Sequence, residues 1–169
     1  MLLYVTALVI LLLDQASKLV VQQTLTLHES IPIIPGLFDL TYVLNPGAAF
    51  GFLSGRGEAF RNPFFIGISI LAILLILFYH HKYGKGWYYP ALGLALILGG
   101  ATGNLIDRVR IGKVVDFLDF HIFQYHWPAF NLADASIVIG AGLLLLEMLR
   151  DWRSERGGKK AENEAFPWT

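Results

Sequence analysis

Gly99-Gly100-Ala101-Thr102-Gly103-Asn104-Leu105-Ile106-Asp107-Arg108, then Val114-Val115-Asp116-Phe117, then Phe130-Asn131-Leu132-Ala133-Asp134: this stretch decides how the chain is read. Each of its ends abuts a long apolar run. Gly86 to Ile106 gives 21 uncharged residues, and Ala135 to Leu146 is uncharged as well. Ionisable side chains at the edge of lipid are expensive, so they are read as functional and their partners are sought. Asp116 and Asp134 stand 18 residues apart across a short connection between two spanning segments. They are expected to form a catalytic pair.

Working outward, the composition agrees with a membrane location. The 169 residues are 55% hydrophobic and 15% charged, against ~25% charged in a typical soluble domain. The length suggests one domain. Net charge is zero and the basic residues are scattered or terminal, so there is no basic stripe for a nucleic acid partner. The absence of cysteine excludes disulfides, thiolate metal sites and a cysteine nucleophile. The five histidines include no His-Glu-x-x-His helix, and no Gly-x-Ser-x-Gly occurs, which disfavours zinc and serine proteolysis. No metal and no cofactor is expected.

In order, residues 1–21 read as a first span. A cleaved leader would need a basic segment before the apolar run, and none is present. Asp14 and Lys18 lie at i,i+4 on one face of that helix. They are either a self-neutralising pair with Lys18 snorkelling outward, or a brace for the site. Residues 22–61 are too long for a turn and should carry structure of their own. Ile31 to Gly36 reads as extended because of its two prolines, and Phe38 to Leu44 alternates as a strand does. Asn45-Pro46-Gly47 is a turn signal. The small apolar run Ala48 to Phe52 suits contact with lipid or an extended substrate. Further spans are expected at about 62–80, 86–106 and 131–150. Trp87, Tyr88 and Tyr89 form an interfacial belt, and Gly93, Gly99, Gly100 and Gly103 allow close helix packing.

The fold expected is therefore an all-α polytopic membrane protein with four transmembrane helices and a small β-element on the outer side between helices 1 and 2, which the family resemblance given below implies is periplasmic. Residues 1–150 form one membrane domain, 107–130 a second outer connection, and 151–169 a cytoplasmic tail. Lys82 and Lys85 in the short link, and Arg150, Arg153, Arg156, Lys159 and Lys160 in the tail, put the link and both termini in the cytoplasm. The opposite side has Arg56, Arg61, Arg108, Arg110 and Lys113, so the bias is modest. Asp14, Asn45, Asn104, Arg108, Asp116, Asn131 and Asp134 then converge from five segments on the outer face.

Two aspartates held close cannot both ionise easily, so they share one proton. The charged one deprotonates a water while its partner donates to a substrate carbonyl. Asn104, Asp107 and Arg108 share the end of the third helix, where Arg108 either pairs with Asp107 or a neighbouring acid, or simply snorkels. Asn131, one turn before Asp134, is either a helix cap or a substrate ligand. A small proton- or ion-coupled transporter is the alternative, since it too would use intramembrane acids.

These motifs together resemble the bacterial lipoprotein signal peptidases, the signal peptidase II family. The carrying residues are Asp14-Gln15-Ala16-Ser17-Lys18, Asn45-Pro46-Gly47-Ala48-Ala49-Phe50, Gly103 to Arg108, Val114 to Phe117 and Phe130 to Asp134. The resemblance implies an inner-membrane aspartic endopeptidase that cleaves a prolipoprotein just before its diacylglyceryl-modified cysteine. It implies Asp116 and Asp134 as the catalytic dyad. Asp14, Lys18, Asn45, Gly47, Asn104, Arg108 and Asn131 are its supporting or substrate-contacting positions. It also implies contact with membrane lipids and sensitivity to the cyclic peptide globomycin.

Overall fold

The computed structural model describes residues 1–47, 57–83 and 88–165. The elements are α1 (Leu2–Thr24), β1 (Ser30–Ile34), β2 (Phe38–Asn45), α2 (Glu58–Tyr83), α3 (Tyr88–Ile111), β3 (Val114–Ile122), β4 (Tyr125–His126) and α4 (Leu132–Ala165). Among the described residues, four segments are long and apolar enough to cross a membrane: Leu2–Thr24, Ala59–Lys82, Pro90–Ile111 and Leu132–Ser154. The chain is a multi-span membrane protein.

The most buried helix is α3, against which α1, α2 and α4 all pack. Its sequence explains that position. Helices in lipid associate through close packing rather than by expelling water, so small residues mark their interfaces. A Cβ on Gly140 of α4 would lie 2.6 Å from the carbonyl oxygen of Gly93, and one on Gly99 would lie 2.7 Å from that of Ala7 in α1. The backbones meet where a side chain would hold them apart. Large apolar residues such as Leu12, Leu71, Leu74 and Leu145 are exposed on the outside of the bundle, as a lipid-facing surface requires. At one end the core is apolar, built from Leu3, Ala7, Ile76, Leu94, Ala95 and Leu98. The other end is polar and carries the sheet.

The four strands form one antiparallel sheet in the order β1-β2-β3-β4. Pro35 and Gly36 turn β1 into β2: the Leu37 N–H donates to the Ile34 oxygen at 3.0 Å, and Gly36 has φ +78°, the left-handed position that a type II turn gives to glycine. Val21, Leu25 and Phe117 seat the sheet on the end of α1.

Half of this sheet comes from a segment expected only as a connection. Residues 107–130 supply β3 and β4, so the β-element is not confined to the interval between the first two helices. The sequence Val114 to Ile122 is β-branched and aromatic with Asp116 set among apolar neighbours, and β2 gives it a partner. The helices also run longer than the apolar runs: α3 continues through Asp107 and Arg108 to Ile111, and α4 continues past Arg150 to Ala165. Charge ends a span but not a helix, since Arg, Lys, Glu and Ala are good helix formers. The apolar run 48–52 and Trp87 lie outside the described residues.

Candidate active site

Asn131 is the N-cap of α4, and it is held there reciprocally. The Asp134 N–H donates to Asn131 Oδ1 at 2.9 Å, and the Asn131 N–H donates to Asp134 Oδ2 at 3.3 Å. This is a capping box with aspartate in the third position. It also places a carboxylate at a helix N-terminus, where the dipole favours negative charge. With Oδ1 occupied by a donor, the Asn131 amide must turn its Nδ2 the other way. That nitrogen donates to Asp116 Oδ1 at 2.7 Å, with the Val115 oxygen at 3.1 Å and Asn104 Oδ1 at 3.2 Å also within reach.

The same logic orients two more asparagines. Asn104 faces its Oδ1 to the Lys18 ammonium at 3.0 Å, a group that can only donate, and so gives Nδ2 to Asp134 Oδ1 at 2.7 Å. Asn45 accepts the Gly47 N–H at 2.8 Å and gives Nδ2 to Asp116 Oδ2 at 2.9 Å. Asn45 gets within reach because β2 pairs with β3 across a register shift between Leu40 and Val43 that sets Val43 opposite Asp116. A bulge of this kind re-aims side chains near a site. All four oxygens of Asp116 and Asp134 thus accept an N–H whose direction is fixed from elsewhere. Asp116 is 1% exposed. Burial, and then the charge of Asp134, push its carboxyl from 3.8 up to about 7, against the opposing pull of the Asn45 and Asn131 bonds and of Lys18.

Beneath the asparagines lies a buried ionic cluster. Lys18 does not snorkel. It is 2% exposed and bridges Asp14 at 2.9 Å and Asp107 at 2.8 Å. Asp14 accepts the Ala133 N–H at 3.0 Å, another free donor of the first turn of α4. Asp107 accepts the Val115 N–H at 3.2 Å. Gln15 ties the two helices together through Asp107 Oδ1 at 3.1 Å and the Gly103 oxygen at 3.2 Å. Asp107 therefore does not pair with Arg108, because neighbouring helix residues point apart. Among the described residues Arg108 makes no ion pair. Its guanidinium instead lies 5.0 Å from the centre of the Phe65 ring.

A cleft of about 670 Å³ opens over this arrangement. Asp134, Arg108, Asn45 and Gly47 line its polar side, and Phe65, Val138 and Ile139 contribute an apolar wall. Asp119, the other acid of β3, is three residues from Asp116 and so on the opposite face of the strand. It pairs with His126 at 2.9 Å, beside a His121–Asp39 pair at 3.3 Å.

All nine residues singled out from the sequence sit at this one end of the bundle. Two participants were not among them, Gln15 and Asp107. The available signals were a glutamine beside Asp14 inside an apolar helix, and an aspartate near a helix C-terminus, where the dipole disfavours it.

Comparison with known proteins gives concordant results. The family described as "Signal peptidase (SPase) II" matches residues 6–150. A lipoprotein signal peptidase of Syntrophus aciditrophicus is 50% identical over 146 residues, covering 86% of this chain and 91% of that protein. One of Geobacter metallireducens is 49% identical over 145 residues, covering 86% and 88%. A solved structure described as a bacterial membrane enzyme, obtained by the in meso method, superposes with a TM-score of 0.78 at 34% identity over 88% of each chain.

Proposed function

This chain belongs to the signal peptidase II family, and from that membership we propose that Asp116 and Asp134 are its catalytic dyad, acting on prolipoproteins that carry a diacylglyceryl-cysteine. It is a membrane protease of the lipoprotein signal peptidase kind, and the transporter alternative gives way. One observation carries the assignment of the dyad. Each oxygen of the two carboxylates receives one oriented N–H, which leaves its remaining lone pair for a water, a shared proton or the substrate.

The steps follow from the environments. Asp116, raised to about 7 by burial, holds the proton. Asp134, at a helix N-terminus and lining the cleft, holds the charge. Asp134 takes a proton from water as the water oxygen attacks the scissile carbonyl carbon, and Asp116 gives its proton to the carbonyl oxygen. As the intermediate collapses the C–N bond breaks. Asp134 protonates the leaving amine, and a hydroxyl of the intermediate returns a proton to Asp116. The titration belongs to the pair. The apolar wall of the cleft suits a hydrophobic signal segment, and a globomycin-like cyclic peptide would occupy the same cleft. The deciding experiment offers purified enzyme in lipid a diacylglyceryl-modified and an unmodified prolipoprotein. Cleavage of the modified one alone is expected; cleavage of neither would refute the assignment.

In this reading the protein sits in the bacterial inner membrane, with both termini cytoplasmic and the dyad near the periplasmic face. The chain lacks cysteine, so introduced thiols report without background. A cysteine at Gly57 should react with an impermeant reagent in intact cells, and one at Gly84 should be shielded. The reverse labelling pattern would invert the orientation.

Arg108 is proposed to hold a substrate carbonyl or carboxyl group at the polar side of the cleft. Arg108→Lys should reduce turnover by about tenfold or more, because an ammonium cannot reproduce the planar donor fork or its stacking on Phe65. A lysine variant that turns over like the wild type would make Arg108 only an anchor.

A further inference from the structure

Asp107 is a buried carboxylate near the carbonyl end of α3, 4% exposed, where both burial and the helix dipole work against a negative charge. Lys18 has a second carboxylate in Asp14, so neutralising Lys18 does not by itself explain why Asp107 is there. Its bonds do. Oδ2 accepts the N–H of Val115 at 3.2 Å as well as the Lys18 ammonium at 2.8 Å, and Oδ1 accepts Gln15 at 3.1 Å. Val115 is the residue immediately before Asp116, and it is 1% exposed. From the geometry we infer that Asp107 is a positioning residue: it fixes the start of β3 against α1 and α3, and so sets where the Asp116 carboxylate stands relative to Asp134. This inference rests on the dyad reading above.

The two members of the dyad come from different elements, β3 and α4, and each is tied to the same cluster by one backbone N–H. Asp14 holds Ala133, next to Asp134; Asp107 holds Val115, next to Asp116. Lys18 joins the two anchors. A rigid frame thus spans the dyad from behind, and catalysis is sensitive to errors of about 1 Å in such a frame.

The test is a graded series at position 107, with kcat and KM measured per folded molecule in lipid. Asp107→Asn keeps an acceptor for Val115 and Lys18, and should lower kcat by less than about tenfold. Asp107→Ala removes the acceptor and should lower kcat by about 100-fold with KM within about twofold, the loss expected for a shift of order 1 Å in a reacting group. Gln15→Leu loosens the same carboxylate without changing any charge. It should lower kcat several-fold at unchanged KM, and it decides the matter if the alanine variant does not fold. A structural role alone would lower the melting temperature while leaving kcat per folded molecule the same in every variant, and that result would overturn the proposal. If instead Asp116→Asn remains active, the dyad reading has failed first.

Discussion

Asp116→Asn and Asp134→Asn are each expected to lower turnover by roughly 10³-fold or more, the scale of losing a general acid or base. Asparagine keeps the shape of aspartate but cannot take up or deliver the proton. The double variant should be little worse than either single one, because groups acting as one unit are grossly non-additive. Asp119→Asn, on the other face of β3, should cleave normally; the opposite pattern would give the catalytic role to Asp119 in place of Asp116. Stability supplies an independent check. Burial holds the Asp116 carboxyl protonated up to about 7 in the folded state against its ordinary 3.8, so the folded state binds the extra proton between those values. Its contribution to stability is fully present below about pH 4 and is lost as pH rises through about 7. Asparagine at 116 does not titrate. Melting curves should therefore show the stability of Asp116→Asn relative to wild type increasing from pH 4 to 7 and levelling off above. A difference that does not change with pH would mean that Asp116 is not held protonated.

Gly100→Ala and Gly103→Ala should cost the most folded enzyme. A Cβ on Gly100 would run into the carbonyl oxygen of Ala133, and one on Gly103 into the Asp14 carboxylate. The first obstacle is backbone and the second is a side chain held by Lys18 and Ala133, so neither yields cheaply. Overpacking of this kind costs about 1–3 kcal/mol, or about 5 °C in melting temperature for a chain of this length. Both sites also lie against the first turn of α4 or its anchor, so activity per folded molecule should fall as well. Gly142 is the control, since nothing lies within 4 Å of a Cβ there. Alanine at 142 should leave the melting temperature unchanged or raise it slightly. If thermal unfolding in detergent gives the same midpoint for all three variants, α3 does not pack as closely as described.

The four helices were legible because apolar runs of spanning length have few other readings, and the glycines of α3 announced the close contacts they make. That Asp116 and Asp134 would come together was legible because a carboxylate beside lipid needs a reason. The partition of the sheet was not. A strand is specified by its neighbour, and the partner of Val114 to Ile122 lies some seventy residues earlier: Asn45 and Asp116 are 71 positions apart. The surroundings of Arg108 were hidden for a related reason. Sequence proximity favoured Asp107, but the helix turns that carboxylate toward α1. From the sequence Asn131 reads equally as a cap or a ligand; in the structure it caps α4 and bonds Asp116 with the two ends of one amide.

The ion pair of Asp14 and Lys18 has a consequence for biogenesis. The chain emerges from the ribosome N-terminus first, and Asn104, the next partner of Lys18, follows 86 positions later, an interval of roughly 4–17 s at ordinary rates of synthesis. During that interval α1 enters the bilayer without Asn104, Asp107 or Ala133. Because Asp14 and Lys18 sit at i,i+4, they can neutralise each other within the single helix while the rest of the protein is still being made. The pairing that later lies beneath the proposed dyad is thus also what allows the newborn first helix to wait in lipid.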